Sequence, residues 1–138
     1  MMKEMDLKLL AETRLAESKL LFENNYLEGA CYLAFYSIEI GFKASFCKIL
    51  NIEKYPENIQ GLKTHNLQDL LLLSGLKMSF EDSCKSDIML DASWKSLSLE
   101  GKWNETYRYI PIGSKNEGNM MILFTEIEYL FNWIRSKW

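Results

Sequence analysis

A chain of 138 residues, 48% apolar and 25% charged, excludes two ordinary domains and is long enough to bury one core without disulfides or metals. A net charge of −3 excludes a general nucleic-acid binder working through a broad basic face and leaves room only for a local basic pocket. Three cysteines, Cys31, Cys47 and Cys84, odd in number and with no Cys-x-x-Cys pair, exclude a disulfide framework or a zinc site and point to buried thiols in a reducing compartment.

Residues 5 to 24 form the first predicted helix. Leu7, Leu10, Ala11, Leu21 and Phe22 fall on one side of a 3.6-residue period, with a lesser stripe of Leu9, Ala16 and Leu20 beside it, and Asn24-Asn25 as the stop. Tyr26 to Leu50 has the clearest helical character. Ala30, Leu33, Ala34, Ile38, Gly41, Phe42 and Phe46 recur at helical spacing, which marks the central helix of a bundle. Its charges Glu39 and Lys43 stand four apart with the acid first, the favourable order for a helix pair.

Asn51 to Lys63 contains Pro56 and Gly61 and reads as a loop. Thr64 is the expected N-cap of a short helix, Asn66 to Leu73, ending at Gly75. Ser79 and Asp82 resemble a capping box that opens a helix from Phe80 to Leu97, with Cys84, Ile88, Met89 and Ala92 inward. Residues 99 to 116 carry no helical period, and Gly101, Pro111 and Gly113 make them a loop of functional length. The last helix, Glu117 to Ser136, shows Met120, Leu123, Ile127, Leu130 and Ile134 in alternating three-four spacing, the seam of a bundle helix. The expected fold is all-α: one domain over residues 1 to 138, an up-and-down bundle of four long helices and one short one.

No signal peptide is visible in the opening residues, and the longest apolar stretch, Gly29 to Ile38, is about half a membrane span. A cytoplasmic protein off the membrane is the expectation, with no cofactor and no metal.

Four stretches taken in order resemble the HEPN family of prokaryotic helical domains. They are Leu15-Ala16-Glu17-Ser18-Lys19-Leu20-Leu21, the central run Ala34 to Ala44 containing Glu39 and Lys43, Thr64-His65-Asn66-Leu67-Gln68-Asp69-Leu70-Leu71, and Tyr107-Arg108-Tyr109-Ile110-Pro111. The resemblance implies a helical bundle, often a homodimer. Many members are metal-independent ribonucleases acting as toxins or defence effectors. Others accompany small nucleotidyltransferases or bind nucleotides without known catalysis. In the ribonuclease members an Arg precedes a His by four to six residues, and here that signature is absent. Ile59, Gln60 and Gly61 precede the single histidine, His65, while Ile112, Gly113 and Ser114 follow Arg108 at that distance.

The candidate binding residues are Arg108, Tyr109, His65, Lys43 and Glu39, with no catalytic residue assigned. Arg108 between Tyr107 and Tyr109 suits phosphate held by a guanidinium while a base stacks on a ring. Its bland alternative is a pair with Glu39 or another helix acid that locks the loop. His65 reads first as a residue of a helix first turn satisfying orphan backbone groups, then as a phosphate ligand. Glu39 and Lys43 read as helix-pair partners, and Trp94, Trp103, Tyr32 and Tyr36 as core or interface. Gly113-Ser114-Lys115 lacks the strand and glycine spacing of a phosphate loop.

Three functions compete. The first is a non-catalytic HEPN-like module binding a nucleotide, an RNA or a partner such as a small nucleotidyltransferase. The second is a metal-independent ribonuclease with a rearranged His65/Arg108 site. The third is a structural dimerisation domain burying Tyr129, Phe131, Trp133 and Trp138.

Overall fold

The central helix is longest because its sequence suits contact on nearly every side. In the computed structural model, which describes residues 3–99 and 116–138, the α-helices are α1 (Glu4–Glu23), α2 (Leu27–Leu50), α3 (Leu67–Leu73), α4 (Lys77–Ser86), α5 (Ile88–Trp94) and α6 (Glu117–Arg135), with a 3-10 turn at Gln60–Leu62 and a π-helical turn, Lys95–Leu99, continuing α5. The described residues contain no strand, and the fold is an all-α bundle. Helix α2 packs on α1, on α6 and on α3. Its small residues Ala30, Ala34, Gly41 and Ala44 let neighbours approach, while Phe35, Ile38, Phe42 and Phe46 fill the spaces between them. At Gly41 a Cβ would stand 3.2 Å from Ile134 Cγ2, so α6 lies close to the α2 backbone there.

The α1–α2 corner is tight. Asn24 Nδ2 donates to the Leu20 carbonyl at 2.8 Å, and Asn25 turns the chain with φ 67°. The buried stripe of α1 is Leu7, Ala11, Leu15 and Ser18, whereas Leu9 and Leu20 remain exposed. Phe22 stacks on Phe124 at 4.5 Å and Lys19 meets Glu128 at 3.0 Å, which ties α1 to α6. Along α6, Met120, Leu123, Ile127, Leu130 and Ile134 are all buried, the seam that their spacing predicts.

The predicted helix from Phe80 to Leu97 is two helices, broken at Asp87. Extended at φ −125° and ψ 94°, Asp87 accepts the Leu90 amide at 3.1 Å as the N-cap of α5 and also accepts the Tyr129 hydroxyl at 3.0 Å. An aspartate is a better cap than helix interior, and here the cap wins. The break shifts the register. Ile88 is 84% exposed, Met89 52% exposed and Ala92 exposed, against the expectation that they face inward. Leu90, Ser93 and Leu97 are buried instead. Ser79 caps nothing: α4 begins at Lys77, after Gly75 takes φ 76° against the Ile49 side chain. Among the described residues the long helices are therefore three, α1, α2 and α6, where four were expected.

The C-terminal aromatics are also corrected. Phe131 is fully buried and sits edge-on to Trp138 at 6.0 Å. Trp133 donates from Nε1 to Ser83 Oγ at 3.0 Å and packs against Phe80. Tyr129 is held by Asp87. Tyr129 and Trp133 cover the chain's own α4–α5 face, while Trp138 lies beside Gly41 of α2.

No described helix is long and apolar enough to cross a membrane.

Candidate functional site

Glu39 faces inward because it shares a stripe of α2 with Phe35, Ile38, Phe42 and Phe46. At 4% exposure its carboxylate needs partners, since an unpaired buried charge is costly. Two groups meet it, both at Oε1. Lys43, one turn on, donates from Nζ at 3.0 Å, and His65 donates from Nδ1 at 2.7 Å. The helix pair read from the spacing is present, and the histidine joins it across 26 residues of chain.

The loop before α3 delivers His65. Its start is pinned to the beginning of α1, where Glu4 N–H donates to the Glu53 carbonyl at 2.9 Å and Lys3 meets Glu53 at 3.0 Å. Its middle wraps around Tyr55, which is buried edge-on to Phe46 at 5.3 Å. The Tyr55 hydroxyl donates to the Leu62 carbonyl at 2.6 Å, and Lys43 Nζ stands 5.4 Å from its ring centroid. The end of the loop is an asparagine cap. Asn66 Oδ1 accepts the Asp69 amide at 3.0 Å, while Thr64 Oγ1 accepts the Asn66 amide at 3.0 Å. The N-cap is thus Asn66, two residues after the expected Thr64, which instead accepts the Asn66 amide. With Asn66 as the cap, the imidazole of His65 is turned onto Glu39.

The arrangement is a buried carboxylate that orients one half-buried lysine and one histidine whose side chain is 44% exposed. The carboxylate on Nδ1 fixes the orientation of the imidazole. That geometry suits a proton carrier or a hydrogen-bond donor to an anion.

Three of the five sequence-predicted site residues, Glu39, Lys43 and His65, are therefore together. The other two, Arg108 and Tyr109, lie outside the described residues, as do Tyr107 and Trp103. Tyr32 and Tyr36 pack edge-on at 5.3 Å and Trp94 packs on Phe80, in keeping with core roles. Tyr55 was not foreseen. A lone aromatic before a proline in a loop carries no periodicity, so its role as the plug beneath the site has no sequence signal.

Thiol nucleophiles are disfavoured. Burial pushes the Cys31 thiol up to about 12, and burial also raises Cys47 and Cys84. Among the described residues no group of three or more His, Cys, Asp or Glu could hold a metal ion.

Burial, with added repulsion from Cys47, Glu39 and Glu57, pushes the Tyr55 hydroxyl up to about 12. The folded state therefore keeps a proton that the unfolded chain releases near 10, so this stabilisation is full below about pH 10 and is lost as pH rises towards 12. Cys31 adds a loss of the same sign from about 9 upward. Urea midpoints measured across this alkaline range should fall steadily. In Tyr55→Phe the fall should be shallower by up to one proton, roughly 1.4 kcal/mol per pH unit. Its neutral-pH stability should be about 1 kcal/mol lower for the unsatisfied Leu62 carbonyl. An unchanged alkaline slope would show that Tyr55 is not the titrating group.

No protein-family model, no curated protein and no solved structure matches this chain.

Proposed function

We propose that this chain is a HEPN-like module without nuclease activity that holds the phosphate of a nucleotide or an RNA at the Glu39–Lys43–His65 cluster. It would act as a homodimer or beside a small nucleotidyltransferase. The observation that carries this reading is the 2.7 Å contact between buried Glu39 and half-exposed His65, with Lys43 on the same oxygen. A carboxylate on Nδ1 fixes the orientation of the imidazole beside the lysine, so the cluster is ordered before a phosphate arrives. Lys43 supplies fixed positive charge nearby. Arg108 and Tyr109 extend the proposal as a second phosphate ligand and a stacking ring.

The experiment is binding of a short labelled single-stranded RNA by fluorescence anisotropy, with ATP followed by calorimetry. Native protein should bind one of the two. His65→Ala and Lys43→Ala should each weaken binding about tenfold or more, the scale of a lost charged hydrogen bond. Native protein that binds neither ligand and purifies as a lone monomer would sink the proposal.

The same contact favours a second reading, a metal-independent ribonuclease. His65 would take the proton of a ribose 2′-hydroxyl as its oxygen attacks the adjacent phosphorus. The bond from phosphorus to the 5′-oxygen would break, that oxygen taking a proton from water and leaving a 2′,3′-cyclic phosphate, and Arg108 would stabilise the developing charge. A toxin or defence effector of this type arrests growth on expression, and His65→Ala or Arg108→Ala relieves the arrest. Transfer RNA and messenger RNA left intact over hours by the purified protein would eliminate it. The interaction-domain reading would rest on the C-terminal aromatics, of which Phe131 is fully buried and Tyr129, Trp133 and Trp138 are half-buried.

A further inference from the structure

A cavity of about 490 Å³ opens between α3, α4 and α5, and it shares no lining residue with the Glu39–Lys43–His65 cluster. Its apolar wall is Leu71 of α3, Phe80 of α4 and Trp94 of α5, with the half-buried Cys84 thiol beside them. Phe80 and Trp94 meet edge to face at 4.9 Å, Phe80 almost wholly buried as the floor of the cavity and the half-buried Trp94 as the ring a planar ligand would meet. Size and lining are those of a small-molecule site, mostly apolar with a few polar groups at the edge.

The rim sets the charge of the occupant. Lys77, Glu81 and Lys85 follow one another every four residues along α4, and Asp91 of α5 completes the lining charges. Asp91 is taken by Lys95 at 2.8 Å, and Lys85 is loosely tied to Asp82 at 3.4 Å. Lys77 is then the rim cation with no carboxylate partner among the described residues. Two lysines against two acids make the rim neutral overall, so a polyanion such as a nucleoside triphosphate gains little there. A single negative charge placed on Lys77 does gain.

We infer that this cavity binds a planar aromatic monoanion, its ring against Trp94 and Phe80 and its charged group on Lys77. The inference does not depend on phosphate binding at His65.

Cys84 is a built-in reporter, because the other two thiols, Cys31 and Cys47, are fully buried and act as internal controls. The probe is naphthoate, compared with naphthyl methanol, which has the same ring system and no charge. Alkylation of Cys84 in the native full chain by N-ethylmaleimide is followed by mass spectrometry. Naphthoate should slow it saturably, and naphthyl methanol should need about fivefold more to do the same, the worth of one partly exposed ion pair. Lys77 is a surface residue, so Lys77→Gln should fold normally. It should bring naphthoate down to the level of the alcohol and leave the alcohol's own protection unchanged. Failure of naphthoate to protect Cys84 would overturn the proposal. So would an undiminished preference for naphthoate over the alcohol in Lys77→Gln.

Discussion

Phe80→Ala is expected to lower the free energy of unfolding by about 3–5 kcal/mol, the largest single loss we predict for this chain. Phe80 is 2% exposed and lies edge to face with Trp94 at 4.9 Å and with Trp133 at 5.0 Å. It therefore joins α4, α5 and α6 at one point. Helices α4 and α5 are short, so they depend on tertiary packing, and this contact is joined there by the Trp133–Ser83 hydrogen bond, the Tyr129–Asp87 hydrogen bonds and the buried Leu90. Urea unfolding followed by circular dichroism and by tryptophan fluorescence measures the loss. Phe80→Leu should recover more than half of it, because the leucine refills most of the volume. If Phe80→Ala cost less than about 1 kcal/mol, the aromatic cluster could not be what secures this face.

Glu39→Ala is the second large effect. It strips the acceptor from Lys43 and His65 together and leaves a half-buried ammonium facing an apolar helix stripe. Breaking a buried pair from one side costs about 3–5 kcal/mol when both charges are buried. Because His65 is well exposed, the expected loss here is discounted to about 2–3 kcal/mol. Two comparisons separate the causes. His65→Ala should cost under about 1 kcal/mol, because Glu39 keeps its lysine. Glu39→Leu combined with Lys43→Met should recover much of the stability of Glu39→Ala, since an apolar pair of similar volume removes both charges at once. The double variant should nevertheless lose anion binding. That combination, stability returned and binding not, assigns the cluster to function over structure. A double variant as unstable as Glu39→Ala would contradict the pairing argument.

Much of the bundle was legible because helical periodicity is local. Leu123, Ile127, Leu130 and Ile134 repeat at three-four spacing, and no tertiary knowledge is needed to see one face in them. The same holds for Glu39 and Lys43, whose contact follows from one helical turn. The stretch after Gly75 failed for an equally local reason that pointed the wrong way. Ser79 and Asp82 match a capping pattern, yet Asp87 was the residue with two partners to satisfy, the Leu90 amide and the Tyr129 hydroxyl. One of those partners is 42 residues away and could not be seen from the pattern. The broken helix then turned Ile88 and Met89 outward.

The all-α bundle expected from the sequence is therefore the bundle observed, with its fourth long helix replaced by two short ones around Asp87. By itself, the sequence determined the helical class, the central position of α2, the α6 seam and the Glu39–Lys43 pair, all of which depend on spacings of a few residues. Only the tertiary structure decided that His65 joins that pair, that Tyr55 supports it from below, and that a cavity forms between α3, α4 and α5. Those features depend on how a loop closes over α2 and where α4 ends. Packing, charge burial and the hydrogen-bond needs of distant side chains settle both.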